Sequence, residues 1–161
     1  HRTQANAYVS LAGVSETADN ILRRQLIAAP GGIADVAFPI IDSLNLGVTV
    51  SNVPAKLMSV FRPSVQPYLM SWFKVDPIAA IRDLTIPVLI VQGTNDIQVL
   101  EADARALKLA HPSATLAIIP EMNHVLKIAP SDRMENAKTY SNPDLPLAPT
   151  LVSSIVSFLT K

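Results

Sequence analysis

The sequence predicts an α/β fold in which parallel strands alternate with helices. The stretch "IPVLIVQG", residues 86–93, has the nearly continuous Ile, Val and Leu typical of a strand that is covered on both faces of a parallel sheet. A second apolar stretch, "ATLAIIPEMNH" (residues 114–124), is the next predicted strand, and a segment with helical spacing separates the two. Strands and helices that alternate in this way imply right-handed crossovers and parallel pairing.

The first half of the chain is predicted to contain one strand followed by a long helical stretch. Residues 7–13, "AYVSLAG", have the pattern of a short buried strand that ends in glycine. Residues 16–29 form a predicted helix, which stops at a Pro-Gly-Gly sequence. From residue 33 to residue 73, apolar residues at helical spacing alternate with proline breakers, which indicates several bent helices. This stretch is too long for a simple crossover and is expected to form a separate lobe on the sheet.

The second half supplies the helices that connect and close the predicted sheet. "PIAAIRDL", residues 77–84, is a short helix with proline at its favoured first position. Residues 100–110 form the helix between the two strands, and the last predicted helix, residues 150–160, follows a proline-rich connection. In the helix of residues 100–110, the side chains expected to face the core are Ala102, Ala106, Leu107, Leu109 and Ala110.

Composition restricts the classes of partner. The 161 residues are 49% hydrophobic and 16% charged, which suits one domain with a sizeable core. Thirteen basic and thirteen acidic residues give a net charge of +0 without runs of like charge, which argues against nucleic acid and anionic membrane surfaces as partners. The absence of cysteine excludes disulfides and thiolate metal sites, and no metal or cofactor is predicted. The apolar stretches fall far short of the ~20 residues that span a bilayer.

An acidic residue and a histidine follow the two predicted strands. Asp96 lies in the turn after residues 86–93, and His124 lies just beyond the apolar part of the next strand. Because the carboxyl ends of parallel strands share one edge of a sheet, where catalytic groups of open α/β sheets gather, the two side chains are expected to meet. Asp96 can then accept a hydrogen bond from one ring nitrogen of His124 and leave the other as a base. This order fits the acid and histidine of a nucleophile, acid, histidine triad.

Residues 86–99, "IPVLIVQGTNDIQV", and 116–127, "LAIIPEMNHVLK", resemble the last two sheet strands of an α/β-hydrolase, in the serine esterase, lipase and peptidase-like branch. The resemblance implies a partial α/β-hydrolase fold in which residues 1–13 and 74–161 belong to the core and residues 14–73 form a helical cap. It also implies that Asp96 is the triad acid and His124 the triad base of a hydrolase that cleaves carboxylic esters.

The chain departs from the family at the nucleophile. The motif G-x-S-x-G is not present, and the nearest sequence, "GVSET" at residues 13–17, lacks the second glycine. The nucleophile is therefore expected upstream, as is the first half of the domain. Loss of a triad nucleophile lowers turnover by about six decades, so this segment alone is expected to be inactive. Two alternatives stay open: a non-catalytic binding or structural module on this scaffold, or a fragment of a dehalogenase or epoxide hydrolase.

The remaining predictions concern the substrate and self-association. Trp72 and Tyr68 are candidates to line an acyl pocket beneath the cap, although the same spacing would suit helix packing. Asp96 could instead serve its turn and His124 a surface loop, and His111 is expected to be structural. The sheet of a half-domain is expected to expose an unpaired apolar edge, so that the chain either pairs with a second copy through this edge or needs its missing half. The sequence indicates no cellular location.

Overall fold

Three parallel strands form the sheet in the computed structural model, which describes residues 5–29 and 31–160. These strands are β1 (Tyr8–Leu11), β2 (Val88–Gly93) and β3 (Thr115–Ile119), in the spatial order β1-β2-β3. Both pairs run parallel, so all three carboxyl ends lie at one edge. The α/β class and the parallel arrangement predicted from the sequence are thus confirmed.

The helices among the described residues alternate with these strands. They are α1 (Ala18–Ala28), α2 (Ala34–Asn45), α3 (Met58–Phe61), α4 (Gln66–Trp72), α5 (Pro77–Arg82), α6 (Glu101–Ala110), α7 (Arg133–Lys138) and α8 (Pro149–Leu159). Short 3₁₀ turns cover Ala55–Leu57, Pro63–Val65 and Thr139–Ser141. None of these helices is long and apolar enough to cross a bilayer.

The chain divides into two units, one of residues up to Ser15 and from Pro77 onward, the other of Glu16–Asp76. In the first, the sheet unit, all six residues of β2 are buried. Ile90 packs on one face with residues of α5 and α6, and Leu89 packs on the other with Leu151 of α8. Neighbouring side chains of a strand point to opposite faces, so covering both faces requires the continuous apolar run of β2.

The second unit, Glu16–Asp76, is helical and has its own core. Its most deeply buried side chains include those of Ala37, Ile41, Leu44, Leu57 and Phe61. The irregular backbone between α2 and α4 is held by the buried Gln66 side chain, which bonds the N–H and C=O of Val50 and the C=O of Phe61, each at 2.8 Å. The prolines and bends predicted here are accommodated because such side-chain bonds replace missing backbone bonds.

The inward face of α6 differs from the one predicted. Leu109 is 82% exposed and Ala102 is exposed, whereas Asp103, Ala104 and Leu107 are buried. The reason is the Asp103 carboxylate, which accepts hydrogen bonds from the Ser15 amide (3.1 Å), the Ser15 hydroxyl (2.8 Å) and the Leu100 amide (3.0 Å). A hydrophobicity pattern assigns an acidic residue to the solvent face, so the prediction of which face of α6 points to the core was wrong.

Candidate active site

Two backbone hydrogen bonds join the turn after β2 to the loop after β3. The Thr94 amide donates to the Ile119 carbonyl and the Asn95 amide to the Met122 carbonyl, both at 3.1 Å. Gly93 makes this approach possible, because a Cβ at that position would lie 1.9 Å from the Met122 carbonyl oxygen. The glycine that ends β2 is therefore required by close contact between two backbone segments.

Both oxygens of the Asp96 carboxylate accept hydrogen bonds. Oδ1 accepts from the amides of Gln98 (2.8 Å) and Val99 (2.9 Å), which forms the turn after β2. Oδ2 accepts from Gln92 Nε2 at 3.1 Å and lies 3.0 Å from His124 Nδ1. Asp96 thus combines the two roles that the sequence offered as alternatives: it shapes its own turn and contacts the histidine.

His124 lies between an acid without solvent contact and the protein surface. The Asp96 side chain is 0% exposed, and the His124 side chain is 31% exposed. The loop that carries the ring is tightly turned, with positive φ angles at Glu121 (57°) and Leu126 (65°). Such backbone is costly for residues other than glycine and is held here by the surrounding hydrogen bonds. Nδ1 is turned to the acid, and Nε2 is the ring nitrogen that Asp96 does not engage.

The environment of Asp96 favours its ionised form. Burial by itself raises the pKa of this carboxyl group, but the hydrogen bond from His124 and those from the Val99 and Gln98 amides together outweigh burial, so the net pKa lies below the ordinary value. An ionised carboxylate can only accept hydrogen bonds, so the Nδ1 that faces it carries the proton. The neutral ring then has an unprotonated Nε2, which is the form required of a general base.

A network of buried amides holds the histidine loop. The Asn123 side chain is fully buried and donates to Thr139 Oγ1 (2.7 Å) and Asn136 Oδ1 (3.3 Å). Asn136, also fully buried, donates to the carbonyls of Asn95 (2.8 Å) and Pro130 (2.9 Å). Residues 133–141, which had no predicted secondary structure, therefore brace both site loops. Neither Asn136 nor Gln92 lies in a local motif, so sequence patterns do not identify them as part of the site.

The other predicted site residues belong to other elements of the chain. Tyr68 and Trp72 belong to α4 in the helical unit, where their rings stack at a centroid distance of 5.8 Å and remain 61% and 41% exposed. Ser15, the serine of "GVSET", donates its hydroxyl to Asp103. His111 lies at the end of α6 with Nε2 3.1 Å from the Ser113 hydroxyl. Within residues 5–29 and 31–160, groups of three or more potential metal ligands do not occur.

Comparison with known proteins gives structural matches alone. No family model matches the chain, and no curated protein matches it. Three of the solved structures that resemble it are hydrolases or a lactonase by name. They are E-2-(acetamidomethylene)succinate hydrolase (17% identity, TM-score 0.49, covering 98% of this chain and 58% of that one), the enol-lactonase from Burkholderia xenovorans (16%, 0.44, 97% and 56%) and an α/β-hydrolase from a deep-sea metagenome library of the Medee basin (16%, 0.45, 95% and 55%).

Each match spans nearly the whole of this chain, and the chain spans little more than half the length of the structures that it matches. One of the three is an α/β-hydrolase, and this chain resembles each of the three at a TM-score below 0.5.

Proposed function

We propose that Asp96 and His124 are the acid and base of a serine hydrolase that cleaves carboxylic esters. The observation that carries this proposal is the 3.0 Å contact between His124 Nδ1 and Asp96 Oδ2, which joins a side chain 31% exposed to one without solvent contact. A buried acid that holds one nitrogen of a partly exposed imidazole is the arrangement that general-base catalysis requires.

In the proposed mechanism, His124 Nε2 accepts the hydroxyl proton of the nucleophilic serine as its oxygen attacks the ester carbonyl. The same nitrogen returns that proton to the alkoxide as it leaves, and a water then releases the acyl group by the reverse sequence. Asp96 remains ionised throughout. It fixes the Nδ1–H tautomer and stabilises the imidazolium that forms in each transition state.

The nucleophile and the donors to the oxyanion are proposed to come from outside these 161 residues. Ser15 is not assigned this role, because its hydroxyl is bound to Asp103. The helices of residues 14–73 are proposed to be a cap, and the exposed rings of Tyr68 and Trp72 are proposed to contact the acyl group of the ester.

The test is an active-site serine probe, a fluorophosphonate, applied to the full-length gene product that contains this chain. We expect labelling of the wild type, none of His124→Ala, and labelling about 10⁴-fold slower for Asp96→Asn, in line with the loss measured for such a change in a serine protease triad. His111→Ala is the matched control, since His111 contacts a serine hydroxyl in the same unit and should not affect the rate.

Equal labelling of the wild type and His124→Ala would contradict the proposal. A wild type that is not labelled, together with an intact Asp96–His124 contact, would favour a non-catalytic module on this scaffold or a hydrolase with an aspartate nucleophile.

A further inference from the structure

We propose that Gln92 is a positioning residue, which orients the Asp96 carboxylate for His124. The inference rests on the proposed function for the role of the pair, and on geometry for the role of Gln92. The side chain of Gln92 is fully buried at the end of β2 and lies one position before the glycine on which the two loops meet.

Three acceptors surround the amide nitrogen of Gln92. Nε2 lies 3.1 Å from Asp96 Oδ2, 3.0 Å from the Val99 carbonyl and 3.3 Å from the Gly93 carbonyl. The opposite orientation of the amide would place its oxygen against these same acceptors and would be repulsive. The surroundings therefore fix the side chain as a donor toward the carboxylate.

The carbonyl oxygen of the Gln92 side chain adds no hydrogen bond to those of the amide nitrogen. Gln92 Oε1 is buried and has no hydrogen-bond partner among the described residues. A buried acceptor without a partner is unfavourable, so the contribution of this side chain comes from its donor side. An apolar residue of similar size would fill the space without an unpaired oxygen, but it would leave Asp96 Oδ2 with one donor fewer.

The hydrogen bond from Gln92 ends on the same carboxylate oxygen that contacts His124. Asp96 Oδ1 is held by two backbone amides, and Oδ2 receives both Gln92 Nε2 and His124 Nδ1. The Gln92 bond fixes the rotation of the carboxylate about its own axis and leaves one direction at Oδ2 for the ring. A donor to the ionised form also lowers the pKa of a carboxyl group.

Other groups with charge or polarity lie near this carboxylate. Tyr140 has a buried hydroxyl, and burial raises its pKa, while Gln98 and Arg133 offset part of that increase and Asp96 adds to it. Arg133 donates to the Ile97 carbonyl at 3.2 Å. Because these groups are present in the wild type and in every variant at position 92, a difference in the Asp96 pKa between these proteins reports the effect of the side chain at position 92.

The experiment is an NMR titration of the Asp96 carboxyl carbon in the 161-residue chain. In Gln92→Met, which keeps the volume and removes the donor, we expect the Asp96 pKa to rise relative to the wild type. Gln66→Met is the matched control, because Gln66 is an equally buried amide that bonds Val50 and Phe61 in the helical unit. It should destabilise the chain without moving the Asp96 titration.

A second variant keeps the inference falsifiable if Gln92→Met does not fold. In Gln92→Glu, the protonated carboxyl group can donate to Asp96 as the amide does, and its ionisation would place two carboxylates about 3 Å apart. We expect the two groups to titrate as a coupled pair, with one pKa raised well above the ordinary range. Independent titration of both groups, or an Asp96 pKa in Gln92→Met equal to that of the wild type and Gln66→Met, would overturn the inference.

The serine probe tests the proposed function, and the Asp96 titration tests the role of Gln92, so the two can fail separately. A wild type that reacts with the serine probe, combined with an Asp96 titration insensitive to position 92, would reject the role of Gln92 alone. When the probe does react, Gln92→Met in the full-length product should lower kcat about tenfold or more with little change in KM, as expected for loss of a hydrogen bond to a charged group that acts in the transition state.

Discussion

Replacement of Gly93 by alanine should separate the two loops that carry the candidate site. The added Cβ would lie 1.9 Å from the Met122 carbonyl oxygen and 2.5 Å from its carbon, both backbone atoms that cannot rotate away. Relief of this contact requires the loop after β3 to retreat by about 1 Å or more, which is the kind of backbone shift that overpacking causes.

The expected cost follows from what that movement breaks. Overpacking costs about 1–3 kcal/mol, and the two backbone hydrogen bonds that join the loops contribute about 0.5–1.5 kcal/mol each. The free energy of unfolding should therefore fall by about 2–6 kcal/mol. For a domain of this size, such a change corresponds to a decrease in Tm of about 10 °C.

The measurement is urea unfolding followed by circular dichroism, with Gly13→Ala as control. A Cβ at Gly13 would lie 2.2 Å from Ser10 Oγ, a hydroxyl that can rotate, so the same substitution should cost within about 1 kcal/mol there. NMR should also show loss of the hydrogen bond between His124 and Asp96 in Gly93→Ala. If Gly93→Ala is no more destabilising than Gly13→Ala, then close contact between the two loops does not require glycine at position 93.

Three further predictions test the same unit. Because the folded pKa of Asp96 is lowered, its contribution to stability is complete above the unfolded pKa and is lost as the pH falls through the folded value. The urea midpoint of the wild type should therefore fall more steeply than that of Asp96→Asn on acidification below the ordinary aspartate pKa of 3.8, and equal slopes would contradict this. Asn136→Leu leaves two backbone carbonyls without their buried donor and should lower the free energy of unfolding by about 2–4 kcal/mol in the same assay. Asn20→Leu, at an exposed position, should change it little, and a similar loss for both variants would refute the bracing role of Asn136. In the edge strand β1, Tyr8 is 44% and Leu11 is 40% exposed, and self-association through this strand should make the sedimentation coefficient depend on concentration. Tyr8→Lys should remove that dependence, and a wild type that remains monomeric at all concentrations would reject the prediction.

The features that the sequence determined are those that local patterns encode. The continuous apolar run of β2 follows from burial on two faces, and the end of α1 and the start of α5 follow from glycine and proline signals. The meeting of Asp96 and His124 also follows from the chain itself, because parallel strands of one sheet bring their carboxyl ends to a common edge.

Only the tertiary structure decided which polar groups support that pair. Gln92 and Asn136 act through partners brought together by the fold, and an amide has the same appearance in sequence whether it braces a loop or faces solvent. The inward turn of α6 was decided in the same way, by the bond between Asp103 and the distant Ser15. Hydrophobicity is a property of single residues read at a fixed period, whereas a buried hydrogen bond is a property of two groups whose separation along the chain is arbitrary.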